Sequence, residues 1–267
     1  MRSPRLRSWF AASVLAACGG GGVDAAPVEP RPEVVEAPLG PHTVVVFATA
    51  SLRAPFTALA KLYEQEHPGA EIELHCEGGA QLLAQANGGA RADVFAIGDS
   101  SLMSRFASSA LLAAHSPTEL ARNRIAIVVR PGNQKRVQSL RDLVRADVAV
   151  ALGARSSSIG RHARWALSKQ EHVVEPKAEG PSADAVLAKV QAGEVDAAIV
   201  YATSLRGVEG VEMVAVPEAE NTPVLYSIAA ARLAAEPRGA AAFRALALAP
   251  AGQAILAAHG FLPIGAK

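Results

Sequence analysis

From residue 43 onward, short runs of apolar residues alternate with longer segments whose apolar residues recur at helical spacing. Thr43–Ala48 is a continuous, mostly β-branched run, which is typical of a strand buried on both faces. The segment 51–66 places Phe56, Leu59 and Tyr63 on one side of an amphipathic helix. The two patterns together predict a strand followed directly by a helix.

The same alternation continues as far as residue 258. Further strands are predicted at Glu71–Cys76, Asp93–Ile97, Arg124–Arg130, Asp147–Leu152, Asp196–Tyr201 and Val224–Ala230. Further helices are predicted at Ala80–Ala86, Ile159–Ser168, Ser182–Ala192, Ala240–Leu248 and Ala251–Ala258, with Asp99 and the capping-box sequence Ser139–Asp142 as helix starts. Strands that alternate with helices predict an α/β fold with open, mostly parallel sheets and helices on both faces.

The first residues differ from the rest of the chain. Residues 1–17 combine a basic start with a short apolar stretch, as a secretory signal does. Leu15–Cys18 resembles the lipobox of bacterial lipoproteins, so we expect cleavage before Cys18 and acylation of its new N-terminus. The Gly- and Pro-rich residues 18–42 then form a tether. An ordinary signal peptide with a chance cysteine is the alternative; if Cys18 is acylated, Cys76 is left as a buried thiol.

Composition excludes several classes of function. The 267 residues are 50% hydrophobic, enough for the core of one large domain or two smaller ones. A net charge of +1 provides no long-range field that would attract nucleic acid or an anionic membrane. Aromatic residues make up 4% of the chain, which disfavours stacking on bases. Two cysteines exclude a four-cysteine metal site, and the seven histidines show no metal-ligand spacing.

Small and hydroxyl-bearing residues follow the predicted strands. Ser51 follows the first strand, Gly79 follows the second, and three consecutive serines at 156–158 follow a later one. Ligands of open parallel sheets bind at this edge. Because helix N-termini offer unpaired amides and a positive dipole end, several of them converging would bind a small anion. Serine and glycine are also ordinary caps and turn residues, so only the combined pattern favours an anion site.

Six stretches carry a family resemblance. They are VFATASL (46–52), ADVFAIGD (92–99), RNRIAIVVRPGN (122–133), GRHARWAL (160–167), AVLAKVQAGEVDAAIVYATS (185–204) and HGFLP (259–263). In this order and spacing they resemble the periplasmic molybdate-binding proteins of ABC importers, which are type II periplasmic binding proteins. The resemblance runs from about Val44 to Leu262.

The resemblance implies a ligand cleft between two α/β lobes that close over one oxyanion. Residues 43–121 plus 227–267 would form one lobe and 122–226 the other. By position, five residues would bind the ligand: Ser51 through its hydroxyl and amide, Gly79, Ile159 and Ala183 through amides, and Tyr201 through its phenol. Gly79 stands where the family usually has a second serine, so one hydroxyl donor is missing.

The same resemblance implies the ligand, partners and location. The ligand would be molybdate or tungstate, with no cofactor, no protein-ligated metal ion and no catalysis. The partner would be the membrane permease of an ABC importer, with the membrane reached through the N-terminal lipid only and no nucleic acid bound. We expect a monomeric lipoprotein in the periplasm or at the cell surface.

Three other functions stay open at this point. A hydrolase using Ser51 or Ser156 is one, although no motif such as G-x-S-x-G or H-E-x-x-H accompanies them. A binding protein for another oxyanion is the second: monohydrogen phosphate carries a proton, and Glu77 would accept it if it faced inward, whereas we expect Glu77 to face solvent. The third is an adhesion or assembly module. We expect Arg53, Arg155 and Arg161 to lie at the rim of the site.

Overall fold

The structure is a computed structural model that describes residues 39–221 and 223–265. The predicted signal peptide at 1–17 and the predicted acylation of Cys18 lie outside the described residues. Most of the predicted tether at 18–42 also lies outside them. The last residue of the predicted tether, His42, already belongs to the fold, because the first strand begins there.

Strands and helices alternate along the described part of the chain. The strands are β1 (His42–Thr49), β2 (Ala70–Glu77), β3 (Val94–Gly98), β4 (Thr118–Asn123), β5 (Ile125–Val129), β6 (Val150–Gly153), β7 (Ala178–Gly180), β8 (Ala197–Tyr201), β9 (Glu212–Ala215) and β10 (Val224–Ala230). The helices are α1 (Arg53–Glu66), α2 (Gly79–Asn87), α3 (Ser100–Ser108), α4 (Ser158–Lys169), α5 (Ala183–Gln191), α6 (Pro237–Leu248) and α7 (Pro250–Ala258). Short 3-10 helices cover Ala50–Leu52, Leu140–Val144 and Ala202–Leu205.

The strands form two five-stranded sheets with the same pattern of directions. The first has the order β2-β1-β3-β10-β4, and the second has the order β7-β6-β8-β5-β9. In the first sheet β1 pairs in parallel with β2 and β3, whereas β10 is antiparallel to β3 and β4. In the second, β6 pairs in parallel with β7 and β8, whereas β5 is antiparallel to β8 and β9. The predicted α/β class with open, mostly parallel sheets is confirmed, with one reversed strand in each sheet.

The chain crosses between the sheets twice. It leaves the first sheet at Asn123 and enters the second at Ile125, and it returns to the first sheet at Val224. The boundaries expected at residues 121 and 227 fall inside β4 and β10. The reason is that both strands pair within the first sheet up to the crossing, so the crossing itself occupies only the short connections outside them.

Three strands were not predicted from the sequence, and all three lie at sheet edges. β4, β7 and β9 are edge strands of their sheets. β4 and β9 include exposed residues, and β7 is only three residues long, so none of them reads as an apolar run. The capping box at Ser139 is present, but it begins the 3-10 helix Leu140–Val144 rather than an α-helix.

Helices α6 and α7 pack against α1, and α6 also packs against strands of the first sheet. Phe243 of α6 packs edge-on against Phe56 and Tyr63 of α1, with ring centroids 5.8 and 5.6 Å away.

Among the described residues, no single helix is long and apolar enough to cross a membrane. Taken together, α6 and α7 meet the length and composition of a span, but the chain bends by 62° between them.

Candidate ligand-binding site

A cavity of about 300 Å³ is lined by residues from both sheets. The five residues expected to bind the ligand all line it: Ser51, Gly79, Ile159, Ala183 and Tyr201. The first four follow the carboxyl ends of β1, β2, β6 and β7, and Tyr201 is the last residue of β8. The fold therefore gathers at one place residues that lie up to 150 positions apart in the chain (201 − 51), as expected for the strand ends of open α/β sheets.

Three helix starts present free amides at the cavity. Gly79 and Ala183 are the first residues of α2 and α5, and Ile159 is the second residue of α4. Amides in a first helical turn have no partner within the helix. In the described part of the chain, these three amides also have no other hydrogen-bond partner. They are therefore available to an acceptor in the cavity.

The hydroxyl of Ser51 is held by a buried tyrosine. Ser51 Oγ lies 2.9 Å from Tyr226 Oη, and Tyr226 also lines the cavity while being only 1% exposed. Burial raises the pKa of Tyr226, so its phenol keeps the proton at neutral pH. The amide of Ser51 has no partner among residues 39–221 and 223–265. Ser51 can thus offer two donors.

The phenol of Tyr201 is the remaining donor. Tyr201 is buried, and burial raises its pKa well above the usual range, so the group stays protonated. Its Oη lies 3.4 Å from Nδ1 of His162. Burial lowers the pKa of His162, an effect that the negative charge of Asp99 partly offsets. The imidazole beside the phenol is therefore neutral at neutral pH, and the positive charge that acts on Tyr201 comes from Arg161.

The five predicted ligand-binding residues thus offer neutral donors at the ends of two similar sheets. Residues 44–262 match the family of bacterial extracellular solute-binding proteins. The chain belongs to this family. This solute-binding protein is 34% identical over 248 residues to the molybdate-binding protein ModA of Mycobacterium tuberculosis H37Rv, covering 92% of each chain.

Solved structures share the fold of this solute-binding protein. The sulfate-binding protein SubI of Mycobacterium tuberculosis H37Rv has a TM-score of 0.72 at 18% identity, with 84% of this chain and 87% of that chain covered. The periplasmic molybdate-binding protein of Azotobacter vinelandii has a TM-score of 0.65 at 17% identity, with 82% and 98% covered. At these identities the likeness concerns the fold alone.

The glycine at position 79 is explained by its neighbour in α3. A Cβ at Gly79 would lie 2.3 Å from Leu102 Cδ2 and 3.3 Å from Thr49 Cγ2. Leu102 is 3% exposed and lines the cavity, so it occupies the space that a serine side chain would need. The backbone of Gly79 is helical, since it begins α2. Steric contact, and not backbone strain, therefore opposes a serine there.

An ion pair connects the two sheets beside the cavity. Arg161 of α4 binds the carboxylate of Asp99, which follows β3. Asp99 is 5% exposed, and its Oδ1 also accepts hydrogen bonds from the amides of Ser101 and Leu102. Burial opposes its ionisation, but hydrogen bonds from Ser101 and Arg161 outweigh burial and hold the pKa of Asp99 below its usual range. Its backbone is strained, with φ at +106°.

The other charged residues considered for the site lie in different places. Arg161 does line the cavity, whereas Arg155 lines a neighbouring one and Arg53 donates to the carbonyl of Cys76. Glu77, expected to face solvent, is half-buried and lines the cavity because β2 extends to it. Cys76 is a free, buried thiol, and burial raises its pKa to about 11.

Sequence reasoning missed Tyr226, Asn123 and the pairing of Asp99 with Arg161. Ser51 and Tyr226 are 175 positions apart, so no local pattern connects them. Asp99 was recognised only as a helix cap. Within residues 39–221 and 223–265, no group of three or more histidine, cysteine or acidic side chains is arranged to hold a metal ion.

Proposed function

We propose that this solute-binding protein binds molybdate, and tungstate with it, in the cavity between the two sheets. One observation carries the proposal: free amides of Gly79, Ile159 and Ala183 meet the hydroxyls of Ser51 and Tyr201 in a single cavity. The relative ModA of Mycobacterium tuberculosis, a molybdate-binding protein 34% identical over 92% of this chain, supports the choice of ligand.

The chemistry of the donors suits an anion without a proton. Molybdate near neutral pH only accepts hydrogen bonds, and each of the five residues donates. Hydrogen bonds to a charged group are worth about 1.5–3 kcal/mol each. Helix N-termini add the positive ends of their dipoles. Neutral donors also avoid an unpaired buried cation when the cavity is empty. Sulfate offers the same acceptors, so cavity size would separate it from the larger molybdate.

We further propose that the two sheets are the centres of two lobes that close over the anion. The lobes would follow the division expected from the sequence, residues 43–121 plus 227–267 and residues 122–226, with the boundaries moved to the crossings next to Asn123 and Val224. These crossings would form the hinge region. The ion pair between Asp99 and Arg161 supports this, since it joins the two sheets at the edge of the cavity.

The cellular role that we propose is delivery of the anion to the permease of an ABC importer. Relatives of this chain are extracellular or periplasmic solute-binding proteins, not enzymes, which supports binding over catalysis. We propose a monomer, without cofactor, that is anchored to the membrane by lipid on Cys18. Intact-mass measurement of the protein from its natural host tests the anchor, and an unmodified N-terminus would exclude it.

A second candidate ligand is an oxyanion that keeps one proton, such as monohydrogen phosphate. The half-buried carboxylate of Glu77 lines the cavity and would accept that proton. The same carboxylate would repel a dianion that has no proton to offer. The two candidates therefore predict different results for Glu77→Gln. If molybdate is the ligand, the variant should bind it more tightly; if monohydrogen phosphate is the ligand, the variant should lose phosphate binding.

Calorimetry with four anions tests the proposal. The purified protein is titrated with molybdate, tungstate, sulfate and phosphate at one pH and salt concentration. We expect one site that binds molybdate and tungstate with similar affinity and the other two anions more weakly. Phosphate binding without molybdate binding would favour the second candidate, and no binding of any anion would refute both.

A further inference from the structure

We propose that Tyr226 is a positioning residue that fixes the hydroxyl of Ser51 as a hydrogen-bond donor toward the anion. The inference rests on the proposed function, because it concerns how Ser51 meets its ligand. The two oxygens lie 2.9 Å apart, and the distance alone allows either one to be the donor. The direction follows from the other neighbours of Tyr226.

Asn123 settles which way the phenol of Tyr226 points. Asn123 Oδ1 accepts a hydrogen bond from the amide of Arg124 at 2.8 Å, which fixes the orientation of the side-chain amide. Asn123 Nδ2 donates to Thr203 Oγ1 at 2.8 Å and lies 3.5 Å from Tyr226 Oη. Because Nδ2 carries only hydrogens, the oxygen of Tyr226 can only accept from it.

Ser51 is then the acceptor that the described side chains offer to the hydrogen of Tyr226. Among the described residues, Ser51 Oγ and Asn123 Nδ2 are the polar side-chain atoms within hydrogen-bond distance of Tyr226 Oη. Since Nδ2 cannot accept, Tyr226 donates to Ser51. Ser51 Oγ accepts from Tyr226, and its own hydrogen is free to point into the cavity. The chain of donors runs from Asn123 through Tyr226 to Ser51 and then to the anion.

Packing holds the ring of Tyr226 in this position. Its Cε1 would lie 2.5 Å from a Cβ at Gly98, so the ring lies directly on the glycine backbone. On another side the ring meets Phe261 edge-on, with centroids 5.1 Å apart. A phenol held this way has little freedom to turn from Ser51, and a hydroxyl that accepts one hydrogen bond becomes a better donor in the next.

The arrangement also involves the crossing between the sheets. Asn123 is the last residue of β4 and Thr203 follows β8, so their hydrogen bond joins the two sheets where the chain passes from one to the other. Tyr226 therefore connects the donor in the cavity to the connection between the two sheets. The orientation of Ser51 thus depends, through Tyr226, on Asn123, whose hydrogen bond to Thr203 reaches the second sheet.

A double-mutant cycle tests the inference. Wild type, Tyr226→Phe, Ser51→Ala and the double variant are each titrated with molybdate, and their melting temperatures are recorded. We expect Tyr226→Phe to weaken binding by about 3- to 10-fold, the value of one hydrogen bond. In the Ser51→Ala background the same change should weaken binding by less than about twofold. Ser227→Ala is the matched control, because it also removes a buried hydroxyl from β10.

The outcomes separate this inference from the proposed function. Equal weakening by Tyr226→Phe with and without the Ser51 hydroxyl would overturn the positioning role while leaving molybdate binding intact. An equal loss in Ser227→Ala would also overturn it, because general damage to β10 would then explain the result. If the wild type binds none of the tetrahedral anions, the proposed function itself fails.

Discussion

The two sheets have equivalent strand orders and the same reversed fourth strand, but they bring different groups to the cavity. The second sheet contributes the phenol of Tyr201 and two amides, those of Ile159 and Ala183. The helices of these amides are capped by serine side chains: Ser157 accepts from Gly160, and Ser182 accepts from Ala185. The first sheet contributes Gly79, at the start of a helix without a side-chain cap, and the hydroxyl of Ser51.

The difference shows that one topology can hold donors in two ways. In the second half, local caps fix the amides, so the neighbouring sequence is sufficient to place them. In the first half, Ser51 depends on Tyr226 and Asn123, which are distant in sequence. We therefore expect changes at distant side chains to disturb a donor of the first half, whereas only a backbone change can remove the two amide donors of the second. The phenol of Tyr201 is the one donor of the second half that a side-chain change removes.

The largest effect is expected from Ala183→Pro, which removes one amide of the second half. Proline is tolerated at the first helical position, and Ser182 already has the extended conformation that precedes proline. The variant should fold. Because a ring carbon of proline takes the place of the amide hydrogen at position 183, one donor to the anion is lost, and molybdate should bind about 100-fold more weakly or worse. Calorimetry measures the loss. Ala183→Gly keeps the amide, and an equal loss there would contradict the assignment.

Single hydroxyl deletions should have the next largest effect. Ser51→Ala and Tyr201→Phe each remove one hydrogen bond to a charged ligand, which corresponds to about 10- to 150-fold weaker binding. The amide of Ser51 survives, so binding weakens without disappearing. Ser108→Ala, at an exposed serine at the end of α3, is the control for the same titration. If both site variants bind molybdate like the wild type, the assigned site is wrong.

A serine at position 79, where the family usually has one, should strengthen molybdate binding only if the side chain of Leu102 is also shortened. Gly79→Ser alone meets Leu102, and we expect overpacking to cost about 1–3 kcal/mol of stability with no gain in affinity. Gly79→Ser combined with Leu102→Ala should bind molybdate more tightly than Leu102→Ala alone. Gly78→Ser is the matched control, since nothing lies within 4 Å of a Cβ there. Denaturation and titration of these variants decide the matter.

The smallest expected effect concerns the ion pair that joins the halves. Asp99→Asn should lower the free energy of unfolding by about 1–3 kcal/mol at neutral pH. Because the folded pKa of Asp99 is lowered, its contribution is complete above the unfolded value of about 3.9 and disappears as pH falls through the folded pKa. Urea denaturation at neutral and acidic pH should show wild type and variant converging in acid. A difference that persists in acid would contradict the ionic role, and Asp147→Asn, at an exposed pair, should change less.

Much of the fold was predictable because its central strands are apolar runs. β3, β5 and β8 are short stretches of buried residues, and the last four residues of β1 are buried too. Asp99 caps α3 as its place in the sequence predicts. The edge strands β4, β7 and β9 were missed because they are short or partly exposed, whereas the edge strand β2 was predicted. In the site, the strand and helix pattern placed Ser51 and Gly79 after strands, and the family resemblance added Ile159, Ala183 and Tyr201. Tyr226 could not, because its role depends on a contact with Ser51 that no local pattern encodes.

The most direct test of the account is a crystal structure of the protein grown with molybdate, in which the anomalous signal of molybdenum locates the anion. We predict one anion within hydrogen-bond distance, about 2.7–3.2 Å, of Ser51 Oγ and Tyr201 Oη and of the amides of Gly79, Ile159 and Ala183. Donors would then come from both sheets. Molybdate bound beside Arg155 in the neighbouring cavity, or bound to residues of one sheet only, would contradict it.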